Sequence, residues 1–331
     1  MSTIAVNAIT DANDGNTTTI NGVTPNSANV VGKNILINGN FDVWQRGTSR
    51  YSTYGLANYY ADRWSTGQFQ DSAFERVTVT TGLGPKAQYA IKVSSSSTAE
   101  ASSGTRMALG QMVESVNSVH LAGQQVTLSF WIRFSSASSS SFGNFSYQIN
   151  EFDTADVAFD SNGATRANST SISNGTLPTT WTKYTVTVTT ASTMKNLAAR
   201  FLFATPANTT NNSDFWYEVT GVQLEAGESA TEFEHRPYTT EELLCFRYYY
   251  LDATDRWLCA ITTNDAGYRR IDVNYPVTMR AAPTVTATFG SNQGSITSGT
   301  QFASAKGITF TVDSMGAGDY AYVNFNANAE L

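Results

Sequence analysis

Two histidines, two cysteines and no long apolar run leave this 331-residue chain with little of the usual equipment for catalysis, redox chemistry or membrane insertion. A helix that spans a bilayer needs about 20 consecutive apolar residues, and no stretch approaches that. The first residues have neither the basic nor the apolar region of a secretory signal, so the expectation is a chain that folds in a cytoplasm. Two thiols, Cys245 and Cys259, cannot build a disulfide framework. In a reducing compartment they read as two buried thiols, with a single bridge as the alternative.

Positive charge is scarce as well. Lys and Arg number 20 against 27 Asp and Glu, the net charge is −7 and the isoelectric point is near 4.9. Phosphate backbones are bound by clustered cations that displace counterions, yet the densest positive stretch here is Tyr268-Arg269-Arg270. Nucleic acid is therefore not an expected partner, and neither is a membrane.

Catalytic signatures are missing too. There is no Gly-x-Ser-x-Gly elbow, phosphate loop or His-Glu-x-x-His helix, neither cysteine has metal-ligand spacing, and His120 and His235 are far apart in sequence. The expectation is a protein that is not an enzyme. Glycoside cleavage is the enzymatic rival, because it needs only two carboxylates roughly 5 to 9.5 Å apart and Glu225, Glu228, Glu232 and Glu234 cluster. A solvated acidic turn is the simpler account of that cluster.

What the chain has instead is Ser, Thr, Asn, Gly and aromatics, the last at 12% of residues. Its length suggests two compact domains plus some extension. Residues 1–33 hold too few apolar side chains to bury a core and should be disordered alone, which suits an attachment arm. From 34 to 238, β-branched or alternating runs recur at Phe74–Thr81, Gln88–Val93, Val126–Phe134, Phe145–Phe152, Trp181–Thr190, Leu197–Ala204 and Phe215–Leu224, separated by Gly, Asn, Ser and Pro. Such spacing predicts an all-β sandwich or jelly roll. The period changes at 239–251, where Thr240 is a candidate cap and Leu243, Leu244, Arg247 and Tyr248 fall at helical spacing. Aromatics on more than one face of this helix suggest a coupler between domains. Residues 252–331 read as a smaller β domain.

Within the first block, Asn38-Gly39 suits a turn or bulge, and Phe41 and Trp44 are expected to close the edge of the sandwich. If Asp62-Arg63-Trp64 is extended, Asp62 and Trp64 share one face and Arg63 takes the other. The stretch Arg50-Tyr51-Ser52-Thr53-Tyr54-Gly55-Leu56-Ala57-Asn58-Tyr59-Tyr60 offers a candidate sugar platform, since tyrosine presents an apolar face and a hydroxyl at low entropy cost. Tyr51, Tyr54, Tyr59 and Tyr60 are the candidate ligand residues; packing under the loop or between subunits is the rival use.

Four blocks, Asn34–Gly47, Tyr60–Trp64, Val222–Gly227 and Thr231–Tyr238, together resemble bacteriophage tail-fibre and related virion structural proteins. Pro276–Pro283 and the terminal Ala329-Glu330-Leu331 look like the distal part of such proteins. The first block is also similar to the opening strand of jelly-roll carbohydrate-binding modules. In those modules a closing strand carries paired acids that help hold a structural calcium; here Thr220 and Gly221 stand in that place, which leaves Asp42 as the motif's one candidate ligand. The resemblance implies a virion-surface protein assembled in the host cytoplasm. It would be anchored through residues 1–33 to other virion proteins, trimeric, and a tail-fibre component that engages a host surface glycan or other receptor. A purely structural head fibre, capsid decoration or tail adaptor is the alternative.

Overall fold

The computed structural model describes residues 32–51, 59–66, 72–80, 86–95, 107–139, 142–157, 164–203, 215–260, 269–291, 299–312 and 320–330. Residues 1–31 of the expected attachment arm lie outside them. The protein is an all-β fold with a single α-helix among the described residues, α1 (Tyr238–Phe246). No helix there is long and apolar enough to cross a membrane.

Strands β1 (Ser49–Tyr51), β2 (Ser72–Thr78), β3 (Tyr89–Ser95), β4 (Ala108–Met112), β5 (Gln125–Phe134), β6 (Phe145–Phe152), β7 (Arg166–Ile172), β8 (Thr182–Thr189), β9 (Asn196–Phe203) and β10 (Trp216–Ala226) form two antiparallel sheets. One is six-stranded, in the order β1-β2-β3-β10-β5-β8; the other is four-stranded, β4-β9-β6-β7. In β5 the alternation sends Val126, Leu128, Phe130, Ile132 and Phe134 to the inside, where all are at most 1% exposed. They meet Phe145, Tyr147, Phe201 and Phe203 of the smaller sheet, with ring pairs such as Phe130–Phe201 edge-to-face at 4.7 Å and Phe134–Phe145 at 5.1 Å. Each such pair contributes on the order of 1 kcal/mol beyond its buried area.

After α1 come β11 (Tyr249–Ala260), β12 (Arg269–Asn274), β13 (Thr284–Ser291), β14 (Gly299–Ala303), β15 (Gly307–Val312) and β16 (Tyr320–Asn328). They build two three-stranded sheets, β11-β16-β13 and β12-β15-β14, around a second core that includes Ile308, Phe310, Val323 and Phe325.

The blocks singled out by the sequence converge. Asn34 accepts from the Leu224 amide at 3.1 Å and donates to the Val222 carbonyl at 3.1 Å. Asn38, at φ +58°, bridges Val43 and Asp62, and Trp64 Nε1 donates to its carbonyl at 2.9 Å. Gly39 is needed for close approach: a Cβ there would lie 2.2 Å from the Val222 carbonyl oxygen. Arg236 adds hydrogen bonds to the carbonyls of Leu36 and Asn34. Phe41 and Trp64 are buried and tilted against each other at 5.0 Å, while Trp44 packs half-buried on the same core.

Three expectations are corrected. Asp62-Arg63-Trp64 is a turn rather than a strand, with Arg63 at φ +73° and all three residues buried; local main-chain bonds, such as the Trp64 amide to the Ala61 carbonyl, displace extended pairing. The helix starts at Tyr238, with Pro237 in the N-cap position and no side-chain cap, so Thr240 lies inside it. It also stops at Phe246, because Tyr249 and Tyr250 pair with Asn328 and Ala327 of β16 instead of continuing the helix. Cys245 is a free, buried thiol whose pKa burial pushes well up; the side chain of Cys259 lies outside the described residues.

Candidate functional site

In β5 the residues between the core positions face away from the sandwich, since strand side chains alternate. Trp131 and Arg133 therefore stand on the outer face of the six-stranded sheet. Trp131 sits opposite Thr220 on one side and Lys183 on the other. Arg133 faces Glu218 and its Nε donates to Glu218 Oε2 at 2.6 Å. The guanidinium lies 5.2 Å from the Trp181 ring and 5.5 Å from Trp216. Lys92 continues the row, 5.9 Å from Trp216 and 3.1 Å from Glu75 Oε2. All three tryptophans are half-buried. Tyr217 pairs with Phe134, so Trp216 falls four residues along from Trp131, about 13 Å at strand rise.

At the Trp131 end the sheet is bulged. The β10–β5 register shifts between Thr220 and Gln223, and Gly221 within the shift has φ +61°. A Cβ on Gly221 would come within 3.2 Å of Trp131 Cδ1, so the Cδ1 edge of the indole lies against the glycine. Here opens a cleft of about 480 Å³, lined by Trp131, Gly221, Asn40, Phe233, Lys86 and Lys183 among others. Asn40 is 8% exposed, and its Oδ1 has no hydrogen-bond partner among the described residues. A buried acceptor left unpaired costs about 1–3 kcal/mol, which makes Asn40 a group in want of a donor. His235 also lines the cleft, and burial together with Lys86 lowers its pKa from 6.5; its imidazole is neutral at neutral pH.

A neighbouring cleft of about 380 Å³ shares Asn40, Lys86 and His235 and adds Asp42, Arg76, Tyr89 and Arg236. Arg76 lies 4.4 Å from the Tyr89 ring. Asp42 is half-buried and its pKa is pushed up to about 6, first by burial and then by Glu241, with Arg76 opposing.

The residues expected to bind ligand are dispersed. Tyr60 is fully buried and stacked on Phe74 at 3.9 Å; it belongs to the core, which corrects its place in a surface platform. Tyr59 is half-buried, bridges to Ser65, and has the Arg46 guanidinium 5.3 Å from its ring. Tyr54 and the side chain of Tyr51 lie outside the described residues. Asp42, the candidate calcium ligand, finds no set of companions: among the described residues no group of three or more His, Cys, Asp or Glu is placed to hold a metal. Glu225 and Glu234 are occupied with main chain, Glu225 accepting from the Thr231 amide at 2.9 Å and Glu234 from the Asn34 amide at 2.8 Å. His120 and His235, remote in sequence, line one groove beside α1.

Trp131 was missed although a signal existed. In Gln125–Phe134 the large apolar residues recur at even positions, and Trp131 stands at an odd one, where only an outward side chain fits. Asn40 and Phe233 reach the same cleft from segments almost two hundred residues apart, which no local pattern reveals.

No protein-family model matches the sequence, and no curated protein matches it. Among solved structures, a family 16 carbohydrate-binding module aligns at 14% identity over 46% of this chain and 84% of its own, with a TM-score of 0.28. A xylan-binding domain from Paenibacillus barcinonensis aligns at 13% identity, covering 60% of this chain and 97% of that one, TM-score 0.33. The enzymatically active domain of tailspike protein 4 from bacteriophage CBA120 aligns at 10% identity, covering 59% of this chain and 21% of that one, TM-score 0.33. Likenesses this loose carry no functional argument.

Proposed function

We propose that this chain is a non-catalytic glycan-binding protein whose recognition surface is the outer face of the six-stranded sheet, with Trp131 as the floor. The observation that carries the reading is the pairing of a half-buried indole, its Cδ1 edge against Gly221, with the buried, unpartnered Oδ1 of Asn40 in one cleft. A sugar ring offers what both groups lack: a face of C–H bonds for the indole and hydroxyl donors for the amide oxygen. The row of Trp181, Arg133 and Trp216 extends the surface by a length suited to further sugar units of the same chain.

The motif resemblance supplies a setting for this reading. As a tail-fibre component, the chain would sit on a virion with residues 1–33 toward the particle and the sheet face toward glycans of the host surface, in three copies. A second reading, a structural fibre or adaptor without a glycan, draws on a different feature. An apolar groove of about 750 Å³ between the 3-10 turn Ser115–Asn117 and α1 is edged by Val116, itself 66% exposed, and a neighbouring protein would cover it.

The decisive measurement is retention of the whole chain by immobilised polysaccharides, with Trp131→Ala beside the parent. Loss of a stacking contact is expected to weaken binding about fivefold per site, the equivalent of about 1 kcal/mol, with the melting temperature nearly unchanged. Undiminished retention by Trp131→Ala, or no retention of any polysaccharide by the parent, would sink the glycan reading and leave the structural one.

A further inference from the structure

The cleft at Trp131 is cationic in an acidic protein. Against a net charge of −7, the two adjoining clefts present Lys86, Lys183, Arg76 and Arg236 with only Asp42 and Glu232 as carboxylates. Two of these cations are already engaged: Arg236 reaches Glu234 at 3.4 Å and Glu241 at 3.3 Å, and Arg76 lies on the Tyr89 ring. The lysines are different. Lys183 Nζ donates at 3.3 Å to a main-chain carbonyl, that of Thr231, and neither Lys86 nor Lys183 takes part in an ion pair among the described residues.

A neutral sugar gains little from two ammonium groups without carboxylate partners at the rim of its site, because an ammonium is a compact, strongly hydrated point charge. An anionic substituent gains two charge-assisted hydrogen bonds. Resting on the glycan reading, we infer that the cleft selects a carboxylated sugar, its ring on Trp131, a hydroxyl donating to Asn40 Oδ1 and its carboxylate held by Lys86 and Lys183. The general repulsion between an acidic protein and a polyanion is screened beyond about 10 Å at moderate salt, so the local lysines decide the outcome.

The test uses the whole chain and a panel of polygalacturonate, alginate and hyaluronan, each beside its carboxyl-reduced counterpart, with dextran sulfate as a sulfated arm and dextran as the neutral one. The expected result is retention by at least one carboxylated polymer, lost on carboxyl reduction, and weakened about fivefold by Lys86→Gln or Lys183→Gln, the upper range for an exposed charge pair. Both lysines are exposed, so these variants should keep the parent's melting temperature. Equal binding of reduced and carboxylated polymers, preference for dextran sulfate, or indifference to both lysine changes would overturn the carboxylate assignment while the glycan reading stands. Failure to retain any polymer, dextran included, would overturn both.

Discussion

Glu330, next to last in the chain, is a carboxylate that the C-terminal sheets deliver into the sandwich. Its Oε1 meets Arg46 Nη2 at 3.2 Å and its Oε2 meets Arg63 Nη1; the three side chains are 4%, 7% and 2% exposed. Arg46 has other company, with Asp62 at 3.3 Å and the Tyr249 ring at 3.5 Å. Arg63 has less: its Nη2 donates to the Met112 carbonyl at 2.7 Å, its guanidinium lies 3.5 Å from the Tyr248 ring, and its Nε has no partner among the described residues. Glu330→Gln keeps the shape and removes the charge, so Arg63 is left buried without a carboxylate. Breaking a buried pair in this way costs about 3–5 kcal/mol. At about 2–4 °C per kcal/mol for a domain of this size, the melting temperature should fall by about 10 °C. Calorimetry should also resolve two transitions where the parent gives one, because this contact helps couple the C-terminal sheets to the sandwich. Adding Arg63→Met should recover part of the loss, since a well-packed apolar side chain does not need the partner. A loss below about 1 kcal/mol for Glu330→Gln, less than breaking a buried pair should cost, would refute the assignment of Arg63 as a buried charge dependent on Glu330.

Two further changes probe the clefts. Because the Asp42 pKa stands at about 6 rather than 3.8, the folded state disfavours its ionised form. Its stability is therefore greatest below about pH 4 and declines as pH rises through about 6. Asp42→Asn should melt with the parent at low pH and above it at neutral pH. Parallel melting profiles would refute the raised value, and stabilisation of the parent alone by added calcium would reverse the sign and restore the metal. Gly221→Ala puts a side chain at φ +61°, which costs about 1–2 kcal/mol, and its Cβ would press on Trp131 Cδ1 at 3.2 Å, so the indole must shift slightly. It should weaken polysaccharide retention as well as stability; unchanged retention would show that the indole's position against Gly221 does not matter.

Much of the sandwich was legible because its strands obey one rule. Phe145–Phe152 was readable to both ends, and β9 to within one residue, since both combine aromatic or branched side chains with punctuating loops. β7 was not: Arg-Ala-Asn-Ser-Thr-Ser-Ile pairs with β6 alone, at the edge of its sheet, and alternates between half-buried and exposed polar or small residues until Ile172, its one core residue. The end of the helix misled because Tyr248 falls at helical spacing with Leu244 and the reading ran on to 251, whereas strand pairing with β16 captures Tyr249 and Tyr250. Tyr60 misled for another reason. Polar neighbours made the loop look exposed, but the chain turns at Asp62 and returns the ring to Phe74. Burial of a ring depends on where the backbone goes next, which composition does not report.

The Asn38-Gly39-Asn40 corner links the closure of the sandwich to its cleft. Asn38 is bound to Val43 and Asp62 through its side chain, and Gly39 lies against the Val222 carbonyl, with the Val222 amide donating back to the Gly39 carbonyl at 3.0 Å. Val222 is in the same register shift of β10 that contains Gly221. One irregularity thus does two things: it receives the corner that closes the sandwich, and it places Gly221 against the Cδ1 edge of Trp131. Asn40, next in the chain, is carried by that docking into the cleft wall. The backbone that carries Asn40 is therefore held by neighbours whose own hydrogen bonds are satisfied, which keeps its side chain at the cleft wall. A binding group fixed in this way loses little freedom when ligand arrives. The aromatic, sharply turned first block accordingly contributes to recognition through position, by holding Asn40 in place, while Phe41 and Trp64 remain in the core.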